Sequence, residues 1–371
     1  IATTGASIDL ATGAATQVSA TTARSVTINN YGTIIGGLAQ SGVVGSAITF
    51  SDDDVNETLN LFTGSNIVGS VDGQGGVDTL NLSGSVNAIT STQGFGDIVN
   101  FEVLNADGGY WVQSGQVAVE DINANAGALI LTGEASGDAT VSQGAILQIG
   151  AGGTTGTLVG DVIANGTLVF NRSDDYLFAG ALSGDGSLVK LGAGKVTLDG
   201  LYSFTGTTSI QAGTLKITQL AADGDLNLGE EGEIDLSGGE QTVGGLNGSE
   251  GSTVNIDEGQ LTISQDEGST STFGGSLTGN GSLIVAGGGS INLTGVNTYT
   301  GPTSVEGGKL SVNGSITSAV TVNDGSILGG SGTINGSILI RRNATLAPGN
   351  SPGVLNVVHG GKQAVDALCT H

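Results

Sequence analysis

Apolar and polar residues alternate in short runs along most of this chain. Val26-Thr27-Ile28, Leu129–Thr132, Thr157-Leu158-Val159, Leu168-Val169-Phe170 and Val254-Asn255-Ile256 are typical. A period of two predicts β-strands that present one face to a core. Gly, Asn, Asp and Ser interrupt the runs, as turns between strands require. No stretch holds a helical period, the short tail apart. The pattern is least regular at Ser51–Asn60 and Ala221–Asp257.

The runs also recur at longer range. Phe178–Ile217 aligns without a gap with Phe273–Val312. Gly180, Gly184 and Gly186 match Gly275, Gly279 and Gly281, and Gly206 and Gly213 match Gly301 and Gly308. A shorter echo pairs "ETLNL" at Glu57–Leu61 with "DTLNL" at Asp78–Leu82. That spacing is about one turn of a solenoid, on the order of 20 residues. Evenly spaced short strands would also suit a sandwich or a propeller. Propeller blades need more aromatic bulk than the 4% found here. A parallel β-helix has a narrow core of Val, Ile, Leu and Ala, with small residues at its corners. Asn, Ser and Thr can stack between its rungs. The expected fold is therefore all-β: a single parallel β-helix, or solenoid, with Gly/Asn-rich turns. At about 4.8 Å and roughly 20–25 residues per rung, the chain would build a rod about 70–90 Å long.

Composition removes several classes of function. There are 68 glycines and three prolines, which excludes collagen. Lys and Arg total 9 against 34 Asp and Glu, a net charge of −25, yet only 12% of residues are charged. Ser, Thr, Asn and Gly must therefore supply most of the polar surface. Such a balance repels phosphate backbones and anionic membranes, so no nucleic-acid partner is expected. The only adjacent basic pair is Arg341-Arg342. One cysteine, Cys369, excludes an internal disulfide. Methionine is absent and no signal peptide is visible, so the chain reads as an internal piece of a longer precursor. No apolar run approaches the roughly 20 residues that a spanning helix needs.

The segments "GAGKVTLDGLYSFTGTTSIQAGTL" (Gly192–Leu215) and "GGGSINLTGVNTYTGPTSVEGGKL" (Gly287–Leu310) resemble the passenger-associated repeat of bacterial type V autotransporters. "GSILGGSGTINGSILIRRNATLAPGNSPGVLNV" (Gly325–Val357) resembles the end of such passengers, and "VTINNYGTIIG" and "NFEVLNADGGYWVQSG" resemble their rungs. The resemblance implies that the helix is right-handed. It implies a passenger body over 1–278, last rungs acting as an autochaperone-like folding nucleus over 279–357, and a tail or linker over 358–371. Pro348, Gly349, Pro352 and Gly353 would form the nucleus loop, each proline presetting φ and each glycine relaxing it. It further implies a partner in the precursor, its own C-terminal outer-membrane barrel, and a place at the bacterial cell surface or, after cleavage, in the medium. The expected work is non-enzymatic: adhesion to host or neighbouring cells, or homo-association. The alternatives are a stalk displaying an N-terminal protease or esterase, and a glycan-active β-helix enzyme.

Candidate chemistry is sparse. The two histidines, His359 and His371, lie past the last clear rung, and Cys369 sits two residues from His371. Neither arrangement positions a base for a nucleophile. Carboxylates cluster at Asp52-Asp53-Asp54, at Asp174-Asp175 beside Arg172, and at Glu230, Glu231 and Glu233. Paired carboxylates could cleave glycosidic bonds, but acidic clusters on an acidic chain are commonly solvated turns. "GQGGVDTLNLSG" (Gly73–Gly84) partly fits the calcium nonapeptide, which makes Asp72 and Asp78 candidate Ca²⁺ ligands; no other cofactor is expected. Tyr110 and Trp111, in "DGGYWV", are the candidate partner-binding aromatics.

Overall fold

The computed structural model describes residues 6–10, 25–36, 45–50, 54–85, 93–218, 220, 224–236, 238–349, 353–359 and 362–363. Among these residues there are strands and turns and no helix. Among the described residues the strand pairings are parallel, except for that of Asn356–His359 with Lys362–Gln363 and a single antiparallel bridge between Gly330 and Gly349. This is a parallel β-solenoid. The chain divides into two compact units, Ile1–Asp174 with Phe178–Ser187, and Asp175–Leu177 with Leu188–His371. Residue 279 lies within the second unit, and the antiparallel ribbon carries strand structure past Val357.

In the first unit the period-two pattern becomes stacked columns. Ile28, Leu59, Leu80, Leu104, Ile122, Ala139, Val162 and Leu182 lie in register on successive rungs. All are buried. Each Leu, Ile or Val in such a column contributes roughly 1.5–3 kcal/mol by leaving water. The intervening residues point outward, because neighbouring side chains on a strand face opposite ways. The irregular stretch near Ser51–Asn60 does not break this stack: Thr58–Leu61 pairs on both sides.

The second unit is three-faced between Gly239 and Pro348. One face stacks Gly239–Val243, Gly259–Gln265, Ser282–Gly287, Thr303–Val305, Val320–Val322 and Ile338–Ile340. Another carries Thr270–Phe273, Ser290–Leu293, Lys309–Val312, Ile327–Gly330 and Thr345–Pro348. The third is built from Val296–Asn297, Ser315–Ile316, Thr333–Ile334 and Asn356–His359. The segment Ala221–Asp257 stacks in register too, with Leu215, Ile234, Val254 and Leu277 forming one inward column.

The glycines sit where one rung rests on the carbonyls of the rung before. A Cβ on Gly295 would stand 2.0 Å from the Gly275 carbonyl oxygen, one on Gly314 2.0 Å from that of Gly295, and one on Gly332 2.0 Å from that of Gly314. Only a residue without Cβ fits such a column. The internal repeat keeps this geometry: Gly184 and Gly279 both hold left-handed φ, 109° and 103°.

Acidic and amide side chains complete the corners, where strands part and backbone N–H groups lose their ladder partners. Asp97 Oδ1 accepts from Gln116 N at 2.8 Å, Asp138 Oδ1 from Asp161 N at 2.9 Å, and Asp161 Oδ1 from Ala181 N at 2.8 Å. In the second unit Asp257 accepts from Asn280 N, and Asn280 from Glu258 N. These corners need acceptors, and a carboxylate is an acceptor only. Acidic residues thus have structural work that Lys and Arg cannot do.

Candidate interaction face

Three consecutive strands of the first unit carry the same outward pattern. Val26–Asn30 presents Thr27 and Asn29, Thr58–Leu61 presents Thr58 and Asn60, and Thr79–Leu82 presents Thr79 and Asn81. Register pairing puts threonine on threonine and asparagine on asparagine. The asparagine column continues through Asn105 and Asn123. Each Nδ2 donates to the Oδ1 of the rung before: Asn60 to Asn29 at 2.7 Å, Asn81 to Asn60 at 2.8 Å, Asn105 to Asn81 at 2.9 Å and Asn123 to Asn105 at 3.0 Å. The result is an amide ladder of five asparagines and four hydrogen bonds with one direction, all of it half-buried.

Alternation carries the outward face one position further, to Tyr31 and Phe62. Their rings stack with centroids 4.3 Å apart and planes 7° from parallel. Tyr31 is 48% exposed. On these three strands the outward positions bear no charge, in a chain with net charge −25. Charge returns on the same columns at Asp107 and Asp121.

Beside this face the "ETLNL"–"DTLNL" echo buries two carboxyls. Glu57 is 1% exposed and Asp78 is fully buried. Asp78 Oδ1 accepts from Glu57 N at 2.7 Å, while Asp78 N donates to Glu102 Oε2 at 2.5 Å. Each carboxylate caps a backbone N–H of the preceding rung. Burial pushes the Asp78 carboxyl above its ordinary value and the Glu102 charge adds to this; hydrogen bonding from Glu57 opposes both.

The expected site residues fall as follows. Asp72 accepts from Gln74 N at 3.1 Å, Gln74 Nε2 at 2.5 Å and Asn100 Nδ2 at 2.7 Å, so its carboxylate is engaged by protein donors, as is that of Asp78. Among the described residues no three His, Cys, Asp or Glu side chains gather closely enough to hold a metal ion. Trp111 is fully buried and its Nε1 donates to Gly108 O at 2.9 Å. That corrects the assignment of Trp111 as a partner-binding aromatic: the indole is a core residue whose polar atom is satisfied internally. Tyr110, its neighbour across the strand, is half-buried. Pro348 ends Thr345–Pro348, and Gly349 follows with φ 80° and donates to Gly330 O at 2.7 Å. A Cβ on Gly349 would lie 2.2 Å from Gly353 Cα, so a side chain at Gly349 has no room. Pro352 lies outside the described residues, as do Asp52, Asp53, His371 and Cys369.

The remaining carboxylates serve the scaffold. Arg172 pairs with Asp174 at 2.8 Å and donates to the carbonyls of Thr154 and Gly156, pinning that loop. The guanidinium hydrogen bond holds Asp174 below the usual carboxylate range. Asp175 accepts from Lys195 N at 3.3 Å, and Glu233 accepts from Thr214 Oγ1 at 3.1 Å. Glu230 and Glu231 are exposed.

Two features escape a reading of the sequence alone. The asparagine column spans separations of 31, 21, 24 and 18 residues, so no fixed period reveals it. Its signal is the short motif: Asn two positions after an inward-flanked Thr, Val or Asp, in "VTINN", "ETLNL", "DTLNL", "VLNAD" and "DINAN". The second is Lys190, fully buried, with Nζ donating to Gly192 O and to Ala212 O at 3.0 Å. Burial lowers its pKa to about 8. It resembles Gln113, which also donates to the carbonyl two residues on and to one in the next rung.

Comparison with known proteins adds the following. The passenger-associated-transport-repeat family model matches residues 188–217 and 283–312, inside the two copies of the internal repeat. The Adhesin BmaC autotransporter of Brucella suis is 32% identical over 169 residues, covering 43% of this chain and 5% of that protein. The Extracellular serine protease of Serratia marcescens is 40% identical over 83 residues, 22% of this chain and 8% of that protein. The Uncharacterized lipoprotein YdeK of Escherichia coli is 37% identical over 120 residues, 31% of this chain and 9% of that protein. The chain thus spans less than a tenth of the length of these relatives. No solved structure matches it.

Proposed function

We propose that this chain, which is passenger sequence of a type V autotransporter and is displayed at the cell surface or secreted, works there by contact, as a non-enzymatic adhesin. A C-terminal outer-membrane translocator in the precursor belongs to the same proposal. The observation that carries the reading is the uncharged Thr/Asn face with its amide ladder. A surface of net charge −25 repels other acidic cell surfaces, and a neutral patch is where close approach costs least. Many weak hydrogen-bonding steps, repeated at rung spacing, suit an extended contact. One relative is named an adhesin, which agrees with this reading.

The test uses beads coated with the purified chain. Coated beads are expected to clump with bacterial or host cells, and beads carrying Asn60→Asp with Asn81→Asp are expected to lose about nine-tenths of that capture, since each charge must be desolvated at the contact. Undiminished capture by the double variant, at equal coating and with an unchanged far-UV spectrum, overturns the assignment of contact to this face.

A further inference from the structure

We infer that the occupant of the Thr/Asn face is an uncharged polysaccharide chain, lying along the columns with the Tyr31–Phe62 ring pair at its edge. This rests on the contact reading above and names its ligand. The argument starts from hydrogen-bond capacity. An Asn side chain has two N–H donors and two acceptor lone pairs. The ladder takes one of each at Asn60 and Asn81. Each therefore keeps one N–H and one lone pair that the ladder does not use, a donor and an acceptor on the same amide. Vicinal hydroxyls of a sugar are the complementary pair.

Spacing agrees with this pairing. Rungs repeat at about 4.8 Å, so the donor–acceptor pairs recur at that step. An extended β-linked pyranose chain advances by nearly the same amount per sugar. The threonine hydroxyls of Thr58 and its neighbours run parallel to the amides, two residues away along each strand. Tyr31 exposes nearly half its surface two residues past Asn29, beside the amide column, and aromatic carbon is the usual neighbour of sugar C–H faces.

The alternatives fit less well. Polyanions face a chain of net charge −25 and find no Lys or Arg on these columns. A folded protein partner needs a desolvated apolar centre, which these threonines and asparagines do not supply. A second copy would bring another 25 negative charges close by.

The experiment is affinity electrophoresis of the purified chain through gels containing a β-1,4-glucan, a β-1,3-glucan, dextran or dextran sulfate. Retardation by at least one neutral β-glucan is expected, nearly unchanged when salt is raised, because no ion pair contributes. Asn81→Asp is expected to weaken retardation about tenfold, a loss of about 1.4 kcal/mol. Tyr31→Ser leaves the ladder intact and is expected to weaken it several-fold, so the inference does not hang on one variant's folding. No retardation by any neutral polymer, retardation by dextran sulfate alone, or full retardation of both variants overturns the inference. If beads still capture cells through the face while every glucan fails, the contact reading stands and the glycan ligand falls. Association of the chain with itself that Asn81→Asp abolishes, with no glucan binding, assigns the face to a second copy and likewise overturns the glycan.

Discussion

Alanine at Gly281 is expected to split the stack locally instead of lowering stability evenly. The added Cβ would stand 1.9 Å from the Ile256 carbonyl oxygen and 2.4 Å from that of Gly259. Both are backbone atoms held by their own rung, so neither can swing aside. Relief requires two rungs to separate, which breaks the register of Leu261 on Leu283 and Ile263 on Val285. A cost of at least about 3 kcal/mol follows from overpacking at a site without room to relax. In a solenoid each rung is held only by its neighbours, so the damage stays close to its origin. Limited proteolysis with fragment masses checks this: Gly281→Ala should be nicked between about residues 256 and 301, where the unaltered chain resists. Gly186→Ala repeats the test at the equivalent position of the other copy, 1.9 Å from the Gly166 carbonyl oxygen. Gly153→Ala is the control, since a Cβ there meets nothing within 4 Å. Equal resistance of all three variants would sink the argument.

Removing the charge from Asp78 is expected to stabilise the first unit at neutral and alkaline pH. The folded pKa of Asp78 is raised, by burial first. A carboxyl raised in the folded state favours folding while it is protonated, and that contribution is lost as pH climbs from the ordinary carboxylate value through the raised one. Asp78→Asn keeps an acceptor for Glu57 N and removes this dependence. Asp78→Ala leaves that buried N–H without a partner and is expected to cost about 1–3 kcal/mol instead. Lys190 works in the opposite sense and in another window. Its pKa falls to about 8, so the charged form is disfavoured on folding and stability rises as pH climbs from about 8 toward the ordinary lysine value. Lys190→Met should flatten that rise. Urea unfolding followed from pH 5 to 10 on the unaltered chain and these variants reads both slopes. An Asp78→Asn variant with an unchanged pH slope, or one less stable than Asp78→Ala at pH 8, would refute the account of the buried carboxyl.

The fold could be read from the sequence because a solenoid repeats its rules. Period-two runs such as Thr58–Leu61 and Thr79–Leu82 face the core as alternation requires, and the matched glycines of the repeat occupy matched backbone geometry. Gly349 and Gly353 approach so closely that a Cβ on either would meet the other's Cα. Side-chain direction was harder. Alternation sets Tyr110 and Trp111 on opposite faces of their strand, and the structure buries the indole and leaves Tyr110 half-buried. Lys190 and Gln113 occupy inward positions that composition assigns to apolar residues, and only the nearby turn carbonyls explain them. The asparagine ladder was hidden for a geometric reason: register is set by where each strand begins, and turns of unequal length change the sequence interval without changing the stack.

The repeat has a consequence for heredity. Residues 188–217 and 283–312 match in sequence but stand on different faces: Val196 stacks with Leu215, Ile234, Val254 and Leu277, whereas its counterpart Ile291 stacks with Ser271 and Leu310. An in-frame crossover between their coding stretches would delete or duplicate everything from 188 to 282, which is not a whole number of turns. Every strand beyond the junction would move to a neighbouring face of the solenoid. A gene for such a protein therefore changes length by this step only by re-facing all that follows, and sequencing the locus in independent isolates should reveal few alleles that differ by this one block.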